Sequence, residues 1–313
     1  MRILVVGAGS VGGYFGGRLL EAGQDVTFLV RPRRAAALAA TGLVIRSRFG
    51  DVSVSSPPTI LAEDLHERPD LVLLACKAYD LEGATNSFVA AVGPNTAILP
   101  LLNGMRYLDI LDTRFRAGHV LGGQCLICVI LNERGEIVHL NETHNLSFGE
   151  RDGSRSARVE AIASVLSNAN FQSRLSEAIL EEMWEKWVFI ATSAGITCLM
   201  RAAVGDIVAA GAADLAIRLL DECCTIATQQ GFPPSSRFIE LNPAVFSTAG
   251  SGLTASMLRD IERAAPIEAD HIVGDLLGRG DENASPLVRI AYAHLKAYEA
   301  RRAREMTFSR KAA

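Results

Sequence analysis

The chain has 313 residues, more than one compact domain usually holds, so we expect two domains. Hydrophobic residues make up 49% of it and charged residues 21%, which excludes a mainly disordered chain. The formal net charge of −4 lacks the excess of basic residues that non-specific binding to nucleic acid requires, so we expect no nucleic-acid partner.

The sequence also argues against a membrane protein. Its longest weakly polar run, between Lys186 and Arg201, is shorter than the roughly 20 apolar residues that cross a bilayer. Glycines interrupt the apolar N-terminal segment, which we interpret as mature structure rather than a secretory signal. Six cysteines in so long a chain do not form a disulfide framework, and we expect a cytoplasmic protein.

The first half of the chain alternates short apolar runs with segments long enough for helices. Four of these runs are typical of buried parallel strands: Ile3–Val6, Val26–Val30, Leu71–Ala75 and Ala97–Leu101. The alternation predicts a Rossmann-type, doubly wound α/β sheet. Farther along, a turn signal at Asn132–Gly135 lies among further strand-like runs, which indicates an antiparallel extension of that sheet: Val120–Leu131, Glu136–Leu140 and Asn145–Phe148.

Beyond residue 150 the pattern becomes helical, except for one last candidate strand at Phe171–Leu175. We therefore predict a Rossmann domain in residues 1–175 and a second, all-α domain in residues 176–313 that carries the substrate and catalytic groups. The basic segment Arg301–Lys311 is interpreted as a solvated helix end, with a phosphate-binding arm as the alternative.

A glycine-rich motif follows the first predicted strand and opens a helical segment, the context in which such a motif binds a dinucleotide. It consists of Gly7, Ala8, Gly9, Ser10, Val11 and Gly12. Gly7 permits a tight turn, Gly9 lets the backbone approach a pyrophosphate, and Gly12 lets helix and strand pack closely. The alternative is a glycine-rich turn in an unrelated sheet.

Arg31 ends the second predicted strand, where NAD enzymes place an acid that binds the ribose hydroxyls. A guanidinium instead matches the 2′-phosphate of NADP in charge and in geometry. We therefore expect NADP(H) as the cofactor of the first domain. The alternative is that Arg31 to Arg34 form the solvated start of a helix, where cations are mildly unfavourable.

Two polar residues follow further strands of the predicted sheet. Lys77 comes after the strand that ends at Ala75, and Asn103 after the one that ends at Leu101. Ligands of open α/β sheets bind at the carboxyl ends of the strands, so both residues can reach the cofactor, and Asn103 can also bind a reacting carbonyl. As isolated residues, Asn103 and Gly104 would more often form a turn.

The helical domain offers candidates for proton transfer. Lys186 precedes fourteen uncharged residues, so its ammonium is a candidate general acid, although a surface pair with Glu182 one turn earlier is the alternative. Ser256, Asp260 and Glu268 form a further polar cluster, for which capping and solvation are the alternative.

Cys125 and Cys128 have the spacing of a redox or zinc motif. We expect no metal there, because a strand would point the two thiols to opposite faces and no second pair of ligands accompanies them.

Taken together, these residues resemble the ketopantoate reductase family, the 2-dehydropantoate 2-reductases of pantothenate synthesis, nearly from end to end. The resemblance rests on the glycine motif and on Arg31, Cys76-Lys77-Ala-Tyr79, Leu101-Leu-Asn103-Gly104, Gly122-Gly123, Gly135-Glu-Ile-Val-His139, Trp184-Glu-Lys186, Ser256-Met-Leu-Arg-Asp260 and Pro266-Ile-Glu268.

The resemblance implies that NADPH and a 2-oxo acid bind in a cleft between the two domains. It assigns catalysis to Lys186, cofactor and substrate contacts to Lys77 and Asn103, substrate binding to Ser256, and a place beside cofactor and substrate to Glu268. In such an enzyme, hydride passes to the ketone carbon while Lys186 stabilises and protonates the alkoxide. A homodimer is compatible with this kind of fold.

The chain departs from the family pattern on the helical face of the lysine. Ketopantoate reductases place asparagines four and eight residues after it, where this chain has Ile190 and Ala194. Ser193 could replace one of these amides. We expect reduction of ketopantoate, with a different, more apolar 2-oxo acid or carbonyl substrate as the alternative. A third interpretation, from a different functional class, is a sensor that binds NADP(H) without catalysis.

Overall fold

The computed structural model describes the backbone of residues 1–312 and the side chains of residues 1–307. It divides into two compact units. The first consists of Met1–Leu102 with Tyr107–Leu180, and the second of Asn103–Arg106 with the chain from Glu181 onward. The short segment that contains Asn103 therefore belongs to the helical unit, although it lies within the first half of the sequence.

The strands are short and concentrated in the first unit. Those of the described residues are β1 (Ile3–Val6), β2 (Val26–Leu29), β3 (Leu43–Arg46), β4 (Val52–Val54), β5 (Thr59–Ile60), β6 (Leu71–Leu74), β7 (Ala97–Pro100), β8 (Gly122–Leu131), β9 (Ile137–Gly149) and β10 (Gln172–Leu175). The α-helices between and after them are α1 (Ser10–Glu21), α2 (Pro32–Thr41), α3 (Leu81–Phe88), α4 (Arg106–Phe115), α5 (Ala157–Leu166), α6 (Ile179–Met200), α7 (Val204–Ala209), α8 (Ala213–Gln229), α9 (Ser236–Ser247), α10 (Ser256–Glu262), α11 (Asp275–Arg279) and α12 (Pro286–Ala312).

The first sheet is parallel and has the strand order β5-β2-β1-β6-β7. All residues of β1, β6 and β7 are buried, as expected for strands that are covered on both faces. The chain leaves the centre of this sheet from β1 in one direction and returns to β6 in the other, which places a switch point at the end of β1. The predicted Rossmann-type sheet is confirmed.

A second sheet has the order β10-β9-β3-β4, and β8 pairs with β9. The hairpin of β8 and β9 is antiparallel, as the turn signal indicated. The prediction that it extends the first sheet was wrong, since β9 pairs with β3 and β10 instead, and the link to the first sheet is an isolated bridge between Ile98 and Val120. The short strands β3 and β4 were not predicted, because neither is a wholly apolar run: β3 ends in Arg46 and β4 has Ser53 at its centre.

Helix α1 packs against both sheets through glycines on two of its faces. A Cβ atom at Gly16 would lie 2.6 Å from the ring of Phe28 in the first sheet. A Cβ at Gly13 would lie 2.5 Å from Ile137, and one at Gly17 2.7 Å from Ile45, both in the second sheet. Close packing without side chains thus holds the N-terminus of α1 at the end of β1.

The second unit is helical, which confirms the predicted all-α domain. Helix α12 contains the basic segment that follows Arg301, but its side chains from residue 308 onward lie outside the described residues, so the interpretation of this segment stays a prediction. Among the described residues, none of the helices is both long and apolar enough to cross a membrane.

Candidate active site

The glycine-rich loop joins β1 to α1. Gly7 has φ +96°, which favours glycine, and a Cβ there would lie 3.2 Å from the carbonyl oxygen of Ala75. At Gly12 a Cβ would lie only 2.2 Å from the Gly7 carbonyl oxygen. At Gly9, by contrast, no atom lies within 4 Å of the place a Cβ would occupy.

Gly9 is also the N-cap of α1, and no side chain caps this helix end. The first amide groups of α1 are therefore available to an anion, which the helix dipole also favours. An open space next to free amides at the switch point of a parallel sheet fits the pyrophosphate of a dinucleotide.

Arg31 lies at the N-cap of α2 and is 70% exposed. Its Nη2 atom donates a hydrogen bond of 2.7 Å to Asp80, on the segment that follows β6, and this contact raises the pKa of the guanidinium. Its side chain thus spans from the carboxyl end of β2 to that of β6, the two strands on either side of β1. Lys77, half-buried, lies three residues before Asp80 on the same segment.

Arg34 is a residue that the sequence reasoning did not single out. Its Nε atom donates to the carbonyl oxygen of Ala8 in the glycine-rich loop at 2.9 Å, and its Nη2 atom is buried without a hydrogen-bond partner in residues 1–307. Burial lowers the pKa of this guanidinium. The repeated arginines of Arg31–Arg34 were the available signal, but only the fold shows which of them reaches the loop.

Lys186 lies in helix α6, as predicted, and is half-buried. Among the described residues, no side chain forms a hydrogen bond or ion pair with its ammonium group, so the alternative of a surface pair with Glu182 is not observed. An ammonium on a largely buried helix without a protein partner is free to bind an oxygen of a ligand.

Three segments of the helical unit meet beside Lys186. The indole N–H of Trp187, the next residue on α6, donates a hydrogen bond of 2.8 Å to the carbonyl oxygen of Ile272. A Cβ at Gly104 would lie 2.3 Å from the carbonyl oxygen of His271, so the loop that carries Asn103 passes directly against the same turn. We call this meeting point the Trp187 junction.

Glu268 belongs to the turn that takes part in the Trp187 junction. Its carbonyl oxygen accepts a hydrogen bond of 3.0 Å from the amide of Ile272, and its side chain is buried, with 6% exposed. The turn continues as a π-helical segment, Asp270–Gly274. The junction thus brings together the segments of three predicted site residues, Lys186, Asn103 and Glu268. The side chain of Asn103, like that of Lys186, has no hydrogen-bond partner among the described residues.

Ser256 is the first residue of α10 and is exposed. The preceding amide, of Ala255, donates to Thr197 Oγ1 of α6 at 3.3 Å. Thr197 lies eleven residues after Lys186, on the same helical face and about 16 Å farther along the axis. Ser256 therefore lies at the far end of the lysine face rather than at the junction, and Asp260 is half-buried one turn later in α10.

Between these ends, the lysine face of α6 is poor in free polar groups. Ala194 is buried and Ile190 half-buried. The hydroxyl of Ser193 donates to the carbonyl oxygen of Ile190 at 3.1 Å, so its proton is used within the helix. The Ser193 oxygen can then only accept a hydrogen bond from a ligand, and its replacement of a family asparagine stays a prediction.

Burial suppresses the reactivity of three of the six cysteines. Burial raises the pKa of Cys198, Cys223 and Cys224 to about 12, which keeps these thiols protonated. Cys125 is buried and Cys128 half-buried in β8, where the strand is irregular between Ile127 and Val129. Among the described residues, no group of three or more histidines, cysteines or acids could hold a metal ion.

The parallel sheet, the open glycine-rich loop and the unpaired lysine define the class of an NAD(P)-dependent oxidoreductase. The family model described as ketopantoate reductase PanE/ApbA matches residues 3–153, and its C-terminal counterpart matches residues 178–299. The chain belongs to the ketopantoate reductase family, which confirms the resemblance seen in the sequence, and it is an oxidoreductase of that type.

Individual relatives agree with this assignment. An uncharacterized oxidoreductase of Bacillus subtilis, YkpB, is 38% identical over 96% of this chain and 99% of its own length. A 2-dehydropantoate 2-reductase of Mesorhizobium japonicum is 27% identical over 92% of this chain and 94% of its own. The crystal structure of the 2-dehydropantoate 2-reductase of Methylococcus capsulatus has a TM-score of 0.83 at 27% identity and covers 96% of this chain and 98% of that one.

Proposed function

We propose that the protein reduces ketopantoate, or a closely related branched 2-oxo acid, to the 2-hydroxy acid with NADPH. The Trp187 junction carries this proposal, because it gathers the segments of Lys186, Asn103 and Glu268, and because the lysine ammonium has no protein partner in the described residues. A dinucleotide-binding chain that lacked an acid-base group of this kind would instead suggest a sensor.

The glycine-rich loop and the amides of α1 bind the pyrophosphate in this proposal, and Arg31 binds the 2′-phosphate that distinguishes NADPH from NADH. Lys77 and Arg34 add positive charge near the same strand ends. When bound, NADPH supplies a hydride to the carbonyl carbon of the substrate.

Lys186 acts as the general acid. Its ammonium group donates a hydrogen bond to the ketone oxygen, stabilises the negative charge that grows there, and transfers a proton to it, so that the alcohol forms and a neutral amine remains. The amine regains its proton from water. Asn103 holds the substrate or the nicotinamide amide, Glu268 orients the lysine or the ribose, and Ser256 contributes to substrate binding from the other end of the lysine face.

A more apolar 2-oxo acid is a second candidate substrate, because a specific feature favours it. Ile190 and Ala194 present no polar group on the lysine face, and the proton of Ser193 is used within α6. An Ile190→Asn variant should then raise kcat/KM for ketopantoate roughly two- to twelvefold, the value of one neutral hydrogen bond. If the ratio of kcat/KM for ketopantoate to kcat/KM for an apolar 2-oxo acid is the same in the variant and the wild type, this role of Ile190 is wrong.

The test is the loss of NADPH absorbance with a panel of 2-oxo acids, repeated with NADH and with a Lys186→Met variant. We expect kcat to fall at least about a hundredfold in this variant, as for loss of a general acid, while the Kd for NADPH changes less than about twofold. Glu182→Gln, one turn earlier on α6, is the matched control and should retain activity.

The outcomes separate the alternatives. Fast turnover of ketopantoate supports ketopantoate as the substrate. Turnover only of other 2-oxo acids supports the second candidate, a more apolar 2-oxo acid. Tight NADPH binding without turnover of any member of the panel would overturn the proposal and favour a sensor. Equal losses in kcat and in NADPH affinity would contradict the role of Lys186.

A further inference from the structure

Helix α6 carries two buried tryptophans that differ in one respect. Trp184 and Trp187 are 3% and 1% exposed, and their ring centroids lie 4.8 Å apart. The guanidinium of Arg279 lies 6.0 Å from the centre of the first ring and 5.5 Å from that of the second. Yet only Trp187, among these two, donates a hydrogen bond to a described residue, the one to Ile272.

The acceptor of this bond lies in the turn that begins with Glu268. Ile272 receives the indole N–H on its carbonyl oxygen and donates its own amide to the carbonyl oxygen of Glu268. Two consecutive hydrogen bonds therefore lead from the residue next to Lys186 to the backbone of Glu268. Each link has defined geometry, so the position of one segment constrains the other.

The loop of Asn103 is constrained by the same turn. Gly104 has φ +81°, and a Cβ there would lie 2.3 Å from the carbonyl oxygen of His271 and 3.8 Å from the indole nitrogen of Trp187. The turn cannot shift toward this loop without a clash of backbone atoms, nor away from it without breaking the bond to Trp187. All three site segments therefore meet at this one turn, through the bond from Trp187 and the close approach of Gly104.

The turn has an independent anchor at its other side. Asp270 accepts a hydrogen bond of 2.7 Å from the hydroxyl of Tyr292 and bonds of 2.9 and 3.1 Å from the ammonium of Lys296, both in α12. Loss of the indole donor therefore leaves the turn attached to the fold. The part of the turn that carries Glu268 is then no longer held to α6, because the buried carbonyl oxygen of Ile272 has lost its hydrogen-bond donor.

We propose that Trp187 is a positioning residue, whose hydrogen bond to Ile272 fixes the separation between the Lys186 ammonium and the Glu268 carboxylate. The proposal rests on the function proposed above for Lys186. Loss of this bond lets the turn of Glu268 move relative to α6, which displaces the carboxylate and the proton donor from their working geometry.

The test compares Trp187→Phe, which removes the donor but keeps an aromatic ring, with Trp184→Phe as the matched control. Trp184 stacks on Phe232 at 5.2 Å, so the control also loses buried aromatic area. In Trp187→Phe we expect kcat to fall about ten- to hundredfold, as for a misplaced catalytic group, with the Kd for NADPH unchanged. In Trp184→Phe both quantities should stay near those of the wild type.

Two further readouts do not need turnover. The rate of Lys186 labelling by an amine reagent at a fixed pH, followed by mass spectrometry, should differ from that of the wild type in Trp187→Phe but not in Trp184→Phe. Hydrogen exchange of the Ile272 amide, which donates to Glu268, should be faster in the first variant alone. If the wild type reduces no 2-oxo acid, the proposed function fails, while these readouts still decide the positioning role. Identical labelling and exchange in the two variants would overturn it.

Discussion

An added methyl group should have different effects at two glycines of the glycine-rich motif: it should lower stability at Gly12 and NADPH affinity at Gly9. In Gly12→Ala the new Cβ would lie 2.2 Å from the Gly7 carbonyl oxygen, 3.0 Å from Ala75 and 3.2 Å from Val5. An ordinary contact needs about 1 Å more than the shortest of these distances, and the backbone oxygen cannot move aside as a side chain would. At Gly9 no atom lies within 4 Å of the new group.

The magnitudes follow from this difference. Overpacking against the backbone destabilises by up to about 3 kcal/mol, whereas the higher helix propensity of alanine stabilises by about 1 kcal/mol. The free energy of unfolding of Gly12→Ala should therefore be about 2 kcal/mol lower than that of the wild type. Gly278→Ala in α11, where a Cβ meets no atom within 4 Å, controls for propensity and should gain about 0.5 to 1 kcal/mol. Gly9→Ala should leave stability within about 0.5 kcal/mol of the wild type.

The assay is urea denaturation followed by circular dichroism, paired with NADPH titration. Gly9→Ala should bind NADPH at least about tenfold more weakly, because the methyl group fills the space left for the pyrophosphate. Wild-type stability of Gly12→Ala would refute the packing argument. Wild-type NADPH affinity of Gly9→Ala would refute the placement of the cofactor at this loop.

Two other predictions concern charge. In Asp80→Asn, the phosphate of NADPH no longer competes with a carboxylate for Arg31, so NADPH affinity should rise up to about fivefold while NADH affinity stays constant, as measured by fluorescence titration. An equal gain for both cofactors would place the 2′-phosphate elsewhere. Burial, together with His139 and Arg18, lowers the pKa of His144, whose Nδ1 atom lies 2.8 Å from the hydroxyl of Tyr14. The unfolded chain then binds a proton at His144 more readily than the folded chain does. The free energy of unfolding should therefore fall as the pH drops below about 6.5, by at most about 1.4 kcal/mol per pH unit for this group. His144→Gln should reduce that slope between pH 7.5 and 5.5, and an unaltered slope would contradict this assignment.

Continuous apolar runs and one long helix were predicted well because their signal is local. The strands β1, β6 and β7 are apolar runs between helical segments, and helix α6 is long enough to show its character without neighbours. The hairpin of β8 and β9 was also recognised, but not its sheet. Which strand a hairpin joins depends on partners such as β3, which are distant in the sequence and are not wholly apolar.

The site was predictable to a different degree at each residue. Lys186 stood out as a lone charge in an apolar helix, and the glycine motif is a contiguous pattern. Arg34, Asp80 and Trp187 were not predicted, because each acquires its role from a single contact with a residue far away in the chain.

The sequence by itself determined the class of the fold, the glycine-rich loop and the identity of the candidate acid, because periodicity and motif spacing are properties of neighbouring residues. Only the tertiary structure decided that Asn103 joins the helical unit and that its loop meets the turn of Glu268 beside Trp187. Such meetings depend on backbone hydrogen bonds and close approaches, which any residue with the right conformation can make and which therefore leave little trace in the composition of a segment.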